Sequence, residues 1–176
     1  GRLNASTRTS ARTFPKAAGA IVVGFSWSIP GALAQQASPP RLPGSLQTNR
    51  MLDGWLRINA NGTVTVFTGK CELGQGILTA LAQTASDELD VAYDRIEMVS
   101  ADTARTPNEG MTAGSQSVEN SGTALRYACA EARQILLGLA ATKLGTMADR
   151  LTVSDGTVSG GSGKTTYAEL AREANS

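Results

Sequence analysis

The chain has 176 residues, 41% of them hydrophobic, with 16 basic and 15 acidic side chains and no histidine. That length carries one domain with appendages, and a net charge of +1 argues against a nucleic-acid binder. The lack of histidine excludes Ser-His-Asp and Cys-His catalysis and the common His-containing zinc sites, while two cysteines, Cys71 and Cys129, fall short of the four thiolates an iron–sulfur cluster normally takes.

The first 34 residues read as an export signal. Arg2, Arg8, Arg12 and Lys16 are positive, and no acid appears before Asp53. The apolar run AAGAIVVGFSWSI (17–29), Pro30 and the small-residue pattern Ala32-Leu33-Ala34 follow. A basic region, a short apolar region and an A-x-A site, in that order, describe a secretory signal peptide. The run is short of the roughly 20 residues that span a bilayer, and the alternative reading is an uncleaved membrane anchor. SARTFPK (10–16) resembles the twin-arginine export motif at Ser10, Arg12, Phe14 and Lys16; Ala11 stands where the first arginine belongs, and Pro15 replaces leucine. The expected mature chain begins at Gln35 and is periplasmic or membrane-associated. Residues 35–51 are Pro-rich and polar and read as a linker. Gly1 is no initiator residue and Ser176 interrupts an incipient helix, so the chain reads as an N-terminal piece of a longer protein.

From Trp55 the hydrophobic periods predict regular structure. In WLRINANGTVTVFTG (55–69), Asn61-Gly62 lies between two β-prone runs, a strong hairpin signal. Ile77, Leu78, Leu81, Ala82, Ala85 and Leu89 recur at helical spacing. RIEMVSA (95–101) predicts a strand with Ile96, Met98 and Ser100 on one face. A long loop, 102–117, is expected next; such loops are often functional. A helix is predicted over 120–145, with Leu125, Ala128, Cys129, Ala132, Leu136, Leu139 and Leu144 as its apolar stripe and Gly145 as its stop. LTVSDGTVSG (151–160) predicts a second hairpin turning at Asp155-Gly156. The expected fold class is α+β: a small mixed sheet with β-hairpins packed against two main helices over 52–176.

Two motifs fail on spacing. GGSGKTT (160–166) lacks the first glycine of a phosphate loop, because Val158 holds that position, and reads as a polar loop. GQGILT (74–79) has Thr79 where the third dinucleotide-binding glycine belongs. Gly74 and Gly76 still permit close approach to a helix start, whose N–H groups favour an electronegative ligand, and Gln75 carries both an amide donor and an acceptor. The bland alternative is a tight strand-to-helix turn. Ser115, Gln116 and Ser117 place small donors at a second helix start. If adjacent, the two starts would form one donor-rich surface. Cys71 and Cys129 are expected as packing residues or free thiols.

TGKCELGQGILTALAQTASDELDV (68–91) and RIEMVSADTARTPNEGMTAGSQSVENSGTALR (95–126), with the hairpin before them, resemble the large subunit of bacterial molybdenum hydroxylases. This is the xanthine dehydrogenase / aldehyde oxidase superfamily, in the isoquinoline 1-oxidoreductase and aldehyde dehydrogenase type. The resemblance covers residues 52–170. It implies a molybdenum–molybdopterin cofactor, usually the cytosine dinucleotide in bacteria, whose metal is held by the pterin and not by side chains. It implies hydroxylation of an aldehyde or N-heterocycle with oxygen from water. It also implies a separate [2Fe–2S] partner subunit, often followed by a cytochrome c subunit. In that family the glutamine of Gly-Gln-Gly hydrogen-bonds an oxygen ligand of the metal. The role maps onto Gln75 as catalytic and cofactor-binding, flanked by Gly74 and Gly76. The family's Gly-Ser-x-Ser loop maps onto Gly114, Ser115 and Ser117 as cofactor-binding. The family's catalytic glutamate lies far downstream in a longer chain; neither Glu72 nor Glu109 matches it. The rival readings are an inactive remnant or interaction module that keeps the fold, and a small anion-binding protein.

Overall fold

The structure is a computed structural model that describes residues 42–161 and 163–174; the side chain of Ser115 is outside that description. The stretches expected as an export signal (1–34) and as the first part of a linker (35–41) lie outside the described residues. None of the described helices is long and apolar enough to cross a membrane.

Strands β1 (Leu56–Ile58) and β2 (Val64–Thr68) form the first hairpin, with Leu56 opposite Val66. Its loop closes through Asn59 and Thr63, with Gly62 in the left-handed region at φ 89°. Helix α1 (Ile77–Leu89) then crosses over to β3 (Ile96–Ser100), which pairs with β2 in parallel from Val64↔Ile96 to Thr68↔Ser100. A parallel neighbour requires such a crossover, and an amphipathic helix supplies it while covering the sheet. β2 is central and buried along its whole length. A single turn α2 (Gly114–Gln116), a π-helical turn (Ser117–Gly122) and α3 (Thr123–Leu144) follow as one rod. A second sheet, the antiparallel meander β4 (Thr152–Ser154), β5 (Thr157–Gly160) and β6 (Gly163–Thr166), leads into α4 (Tyr167–Glu173). Trp55, Leu81, Leu125, Leu136 and Leu170 are among the fully buried side chains of one core.

The α+β expectation holds, and the strands divide into two three-stranded sheets. Three finer expectations need correction. The 160–166 segment is not a polar loop: the chain reverses at Gly161 and β6 pairs back onto β5. Only Thr165 of β6 is buried, so its outward polar residues disguise the strand. The second helix begins at Gly114 rather than 120, which shortens the loop before it to 101–113. The end of the linker is packed: Gly44–Gln47 forms a 3₁₀ turn, Leu46 is 1% exposed, and Trp55 Nε1 donates to Asn49 O at 2.9 Å.

The start of α1 is built by its own loop. Gly76, at φ 79°, is the N-cap residue and offers no side chain, so the Glu72 carboxylate takes the exposed N–H groups of Gly74 (2.8 Å), Gly76 (2.9 Å) and Leu78 (3.1 Å). The Gly76 and Leu78 N–H groups hold the Glu72 carboxyl below its ordinary 4.5. A carboxylate at a helix N-terminus is also favoured by the aligned peptide dipoles.

Two measurements check these features. Leu46→Ala should cost about 2–5 kcal/mol of unfolding free energy, as for a filled core site; a loose linker residue would cost under about 0.5 kcal/mol. Glu72 binds its proton more weakly folded than unfolded. Its stabilisation is therefore complete above pH 4.5 and disappears as pH falls through the lower folded value. Glu72→Gln does not titrate, so the stability gap between wild type and variant should narrow on acidification below that point. A gap independent of pH would show that Glu72 does not cap the helix as an anion.

Candidate functional site

Because β2 and β3 run parallel, the chain leaves both at the same edge of the sheet. The Gly-Gln-Gly turn follows β2, and the 101–113 loop, ending at Gly114, follows β3. The carboxyl edge of parallel strands is where open α/β sheets place their ligands. The two helix starts singled out from sequence therefore share one side of the molecule.

Direct bonds join the two loops. Lys70 is only 3% exposed, and its ammonium donates to Glu109 O and Met111 O, both at 2.9 Å. The Glu109 carboxylate reaches back: Oε2 accepts from Thr68 Oγ1 at 2.6 Å and from Gly69 N at 2.8 Å. Cys71 N donates to Thr112 Oγ1 at 2.9 Å. At Gly69 a Cβ would stand 2.4 Å from Pro107 O, so the loop backbone lies where any other residue's side chain would begin. Ala101, at φ 54°, makes the turn out of β3 and donates its N–H to Thr68 O at 3.0 Å. Glu109 Oε1 is buried without a hydrogen-bond partner. An open hollow of about 380 Å³ lies between the loops, lined by Gly69, Cys71, Thr103, Thr106, Pro107 and Glu109 among others.

Gln75 sits at the exposed tip of the first turn. Its Oε1 accepts from Leu73 N at 2.6 Å, and its Nε2 donates to Cys71 O at 2.9 Å. An amide nitrogen has two N–H groups, so one donor remains for anything placed outside the turn. Gly74 (φ 92°) and Gly76 (φ 79°) need glycine for conformation, and a Cβ at either would meet nothing within 4 Å. A Cβ at Gly110 or Gly114 would likewise meet nothing within 4 Å. Leu73 and Met111, 80% and 82% exposed, stand on the two loops.

The second start is shaped by the π-helical turn. Extending the stripe of α3 backwards at helical spacing would bury Val118, seven residues before Leu125. The extra residue of the π turn shifts that register: Ser117 is inside at 3% exposure and Val118 outside at 56%. The Ser117 hydroxyl spends itself on Ala113, accepting from its N–H at 3.2 Å and donating to its carbonyl at 3.3 Å. Ser121 Oγ is fully buried and has no hydrogen-bond partner. π turns occur often at functional sites.

The structure thus brings the Gly74–Gly76 turn and the Gly114–Ser117 segment to one edge. It points Gln75 outward and Ser117 inward; Ser115 is placed by its backbone alone. Cys71 is exposed and Cys129 buried, both as free thiols, and burial pushes the Cys129 thiol far up. Sequence reasoning passed over Lys70, whose burial in a polar segment carries no periodic signal. It also passed over the capping role of Glu72, which lies four residues before the N-cap rather than at it.

Comparison with known proteins places this architecture. Residues 9–176 match the family described as molybdopterin cofactor-binding domain; the match begins inside the stretch expected as a leader. A nicotinate dehydrogenase subunit of Pseudomonas putida is 39% identical over 149 residues, which is 81% of this chain and 13% of that protein. The beta subunit of isoquinoline 1-oxidoreductase from Brevundimonas diminuta is 30% identical over 161 residues, 87% of this chain and 20% of that protein. Among solved structures, quinoline 2-oxidoreductase from Pseudomonas putida 86 superposes with a TM-score of 0.56 at 26% identity, covering 66% of this chain and 15% of that one. CO dehydrogenase from Oligotropha carboxidovorans gives 0.59 at 27%, with the same coverage. The chain spans 13% and 20% of the length of the two curated relatives named. On residues 9–176, the chain belongs to the molybdopterin cofactor-binding domain family.

Proposed function

We propose that this chain supplies part of the cofactor wall of an oxidoreductase that hydroxylates an aldehyde or N-heterocycle. The observation that carries the reading is the convergence of the Gly74–Gly76 turn and the Gly114–Ser117 helix start at the carboxyl edge of β2 and β3. The residues fit a bulky organic cofactor. Four glycines at positive φ, Gly74, Gly76, Gly110 and Gly114, border open space, so backbone can be approached closely there. The donor left over at the Gly-Gln-Gly turn is the neutral amide of Gln75, since Glu72 and Gln75 Oε1 already take the N–H groups of Leu73, Gly74, Gly76 and Leu78. Such a cofactor, when bound, supplies the oxidation chemistry; this chain's residues bind and orient it.

Within this reading, Gln75 presents its free amide N–H to the cofactor, Gly74 and Gly76 clear the approach, and Gly114 and Ser115 form the facing wall, with Ser117 bracing it from inside through its bonds to Ala113. The cytosine dinucleotide form, a [2Fe–2S] partner subunit, a cytochrome c subunit and export to the periplasm complete the proposal. The oxidoreductase part of the reading is supported by the relatives' names, which include nicotinate dehydrogenase, isoquinoline 1-oxidoreductase and aldehyde oxidoreductase. One observation favours the rival, an inactive remnant that keeps the fold. Glu72 and Gln75 already brace the Gly-Gln-Gly turn without any ligand.

Full-length wild type without molybdenum or turnover would leave the remnant, and in an active full-length enzyme Gln75→Leu tests the role of Gln75. Loss of one preorganised donor should lower turnover per bound molybdenum by about 10²–10³, or roughly 2.7–4 kcal/mol, by analogy with an oxyanion-hole donor. Near-normal turnover at full metal content would leave Gln75 as a turn residue only. Gly76→Val is a poor substitute for this test, because φ 79° strains valine whether or not a cofactor is present.

A further inference from the structure

We propose that Lys70 is a positioning residue: its buried ammonium clasps the 109–111 backbone to the end of β2 and so sets the separation of the two loops that form the cofactor wall. This inference rests on the functional reading above and names the device that holds that wall together.

Lys70 is 3% exposed, a rare state for lysine, and among the described residues no carboxylate lies within ion-pair distance of it. Its charge is met by the Glu109 and Met111 carbonyls. Burying an ammonium is costly, and bonds to a charged donor are about twice as strong as neutral ones. The side chain most able to avoid burial is therefore spent on two carbonyls of one irregular loop. Four more contacts act on the same pair of segments. Glu109 Oε2 accepts from Thr68 and Gly69, Cys71 N donates to Thr112 Oγ1, and Pro107 O occupies the space beside Gly69. Every one of them joins 68–71 to 107–112. Four residues beyond the first segment lies Gln75; two beyond the second lies Gly114. The loop itself buries little apolar surface, since Thr103, Ala104, Arg105, Asn108, Gly110 and Met111 are all exposed. Hydrophobic packing alone does not hold it.

The test compares wild type, Lys70→Met and Gly69→Ala in the full-length protein, purified from a host that synthesises the cofactor. Lys70→Met removes the donors, and Gly69→Ala pries the loop away by its added methyl group. Hydrogen exchange and molybdenum per polypeptide are both measured. Both variants should exchange amides in 102–113 at least about tenfold faster, the equivalent of one charge-assisted hydrogen bond. Exchange in 124–140 of α3 should stay unchanged, and molybdenum content should fall several-fold. Unchanged exchange in the loop overturns the proposal. So does a loosened loop that keeps full molybdenum, or faster exchange throughout α3, which would make Lys70 a residue of general stability. Wild-type protein without molybdenum overturns the functional reading and the cofactor role with it; the exchange comparison then still decides whether Lys70 holds the loop.

Discussion

Parallel pairing of β2 with β3 is the constraint on which the rest of the molecule depends. A parallel neighbour cannot be reached by a tight turn, so the chain must cross the sheet through α1 before β3 forms. That crossover buries Ile77, Leu81, Ala85 and Leu89 and supplies the helix against which α3 packs. It also fixes where the two irregular loops begin. Both leave the sheet at one edge, although α1 and β3 lie between them in sequence. An antiparallel β3 would send its loop to the opposite end and leave Lys70 with no backbone to hold.

The second sheet is tied to this unit by polar contacts at the other end. Arg95 donates to Gly62 O in the first hairpin turn and pairs with Asp155 in the second at 2.9 Å. Gly156 N donates to Asp90 O at 2.7 Å, and the buried Tyr167 hydroxyl donates to Leu89 O at 3.1 Å. Burial pushes the Tyr167 hydroxyl up to about 12. The capping box between Thr166 and Glu169 then starts α4 directly from β6. Stitching at this end leaves the carboxyl edge of β2 and β3 free of the second sheet.

Much of this was legible where one local rule decides the outcome. Asn61-Gly62 and Asp155-Gly156 both turn hairpins, and the residues with helical spacing between Ile77 and Leu89 lie on α1. The resemblance carried by the Gly-Gln-Gly and Gly-Ser-x-Ser blocks agrees with the family match. Reading failed where a distant partner decides. β6 exists because β5 lies beside it, and Gly160 of β5 and Gly163 of β6 admit the Leu151 and Leu144 side chains against the backbone. Leu46 belongs to the core through a turn in a stretch that is otherwise polar. The π turn exchanges Ser117 and Val118 between inside and outside, which no regular period anticipates. Lys70 and Glu109 find each other across 39 residues. Hydrogen bonds of that kind leave no trace in composition or spacing.

The Gly-Gln-Gly turn is complete in itself, with Glu72 on its N–H groups and Gln75 on its backbone, and it still presents one amide donor and two bare glycines to the outside. The central claim is that this turn and the Gly114–Ser117 segment face one cofactor together. A crystal structure of the molybdenum-loaded full-length protein tests it most directly. The account predicts Gln75 Nε2 and at least one group of the 114–117 segment within hydrogen-bond distance, about 2.7–3.2 Å, of the same bound cofactor. A cofactor seated elsewhere, with neither loop in reach of it, would contradict the account.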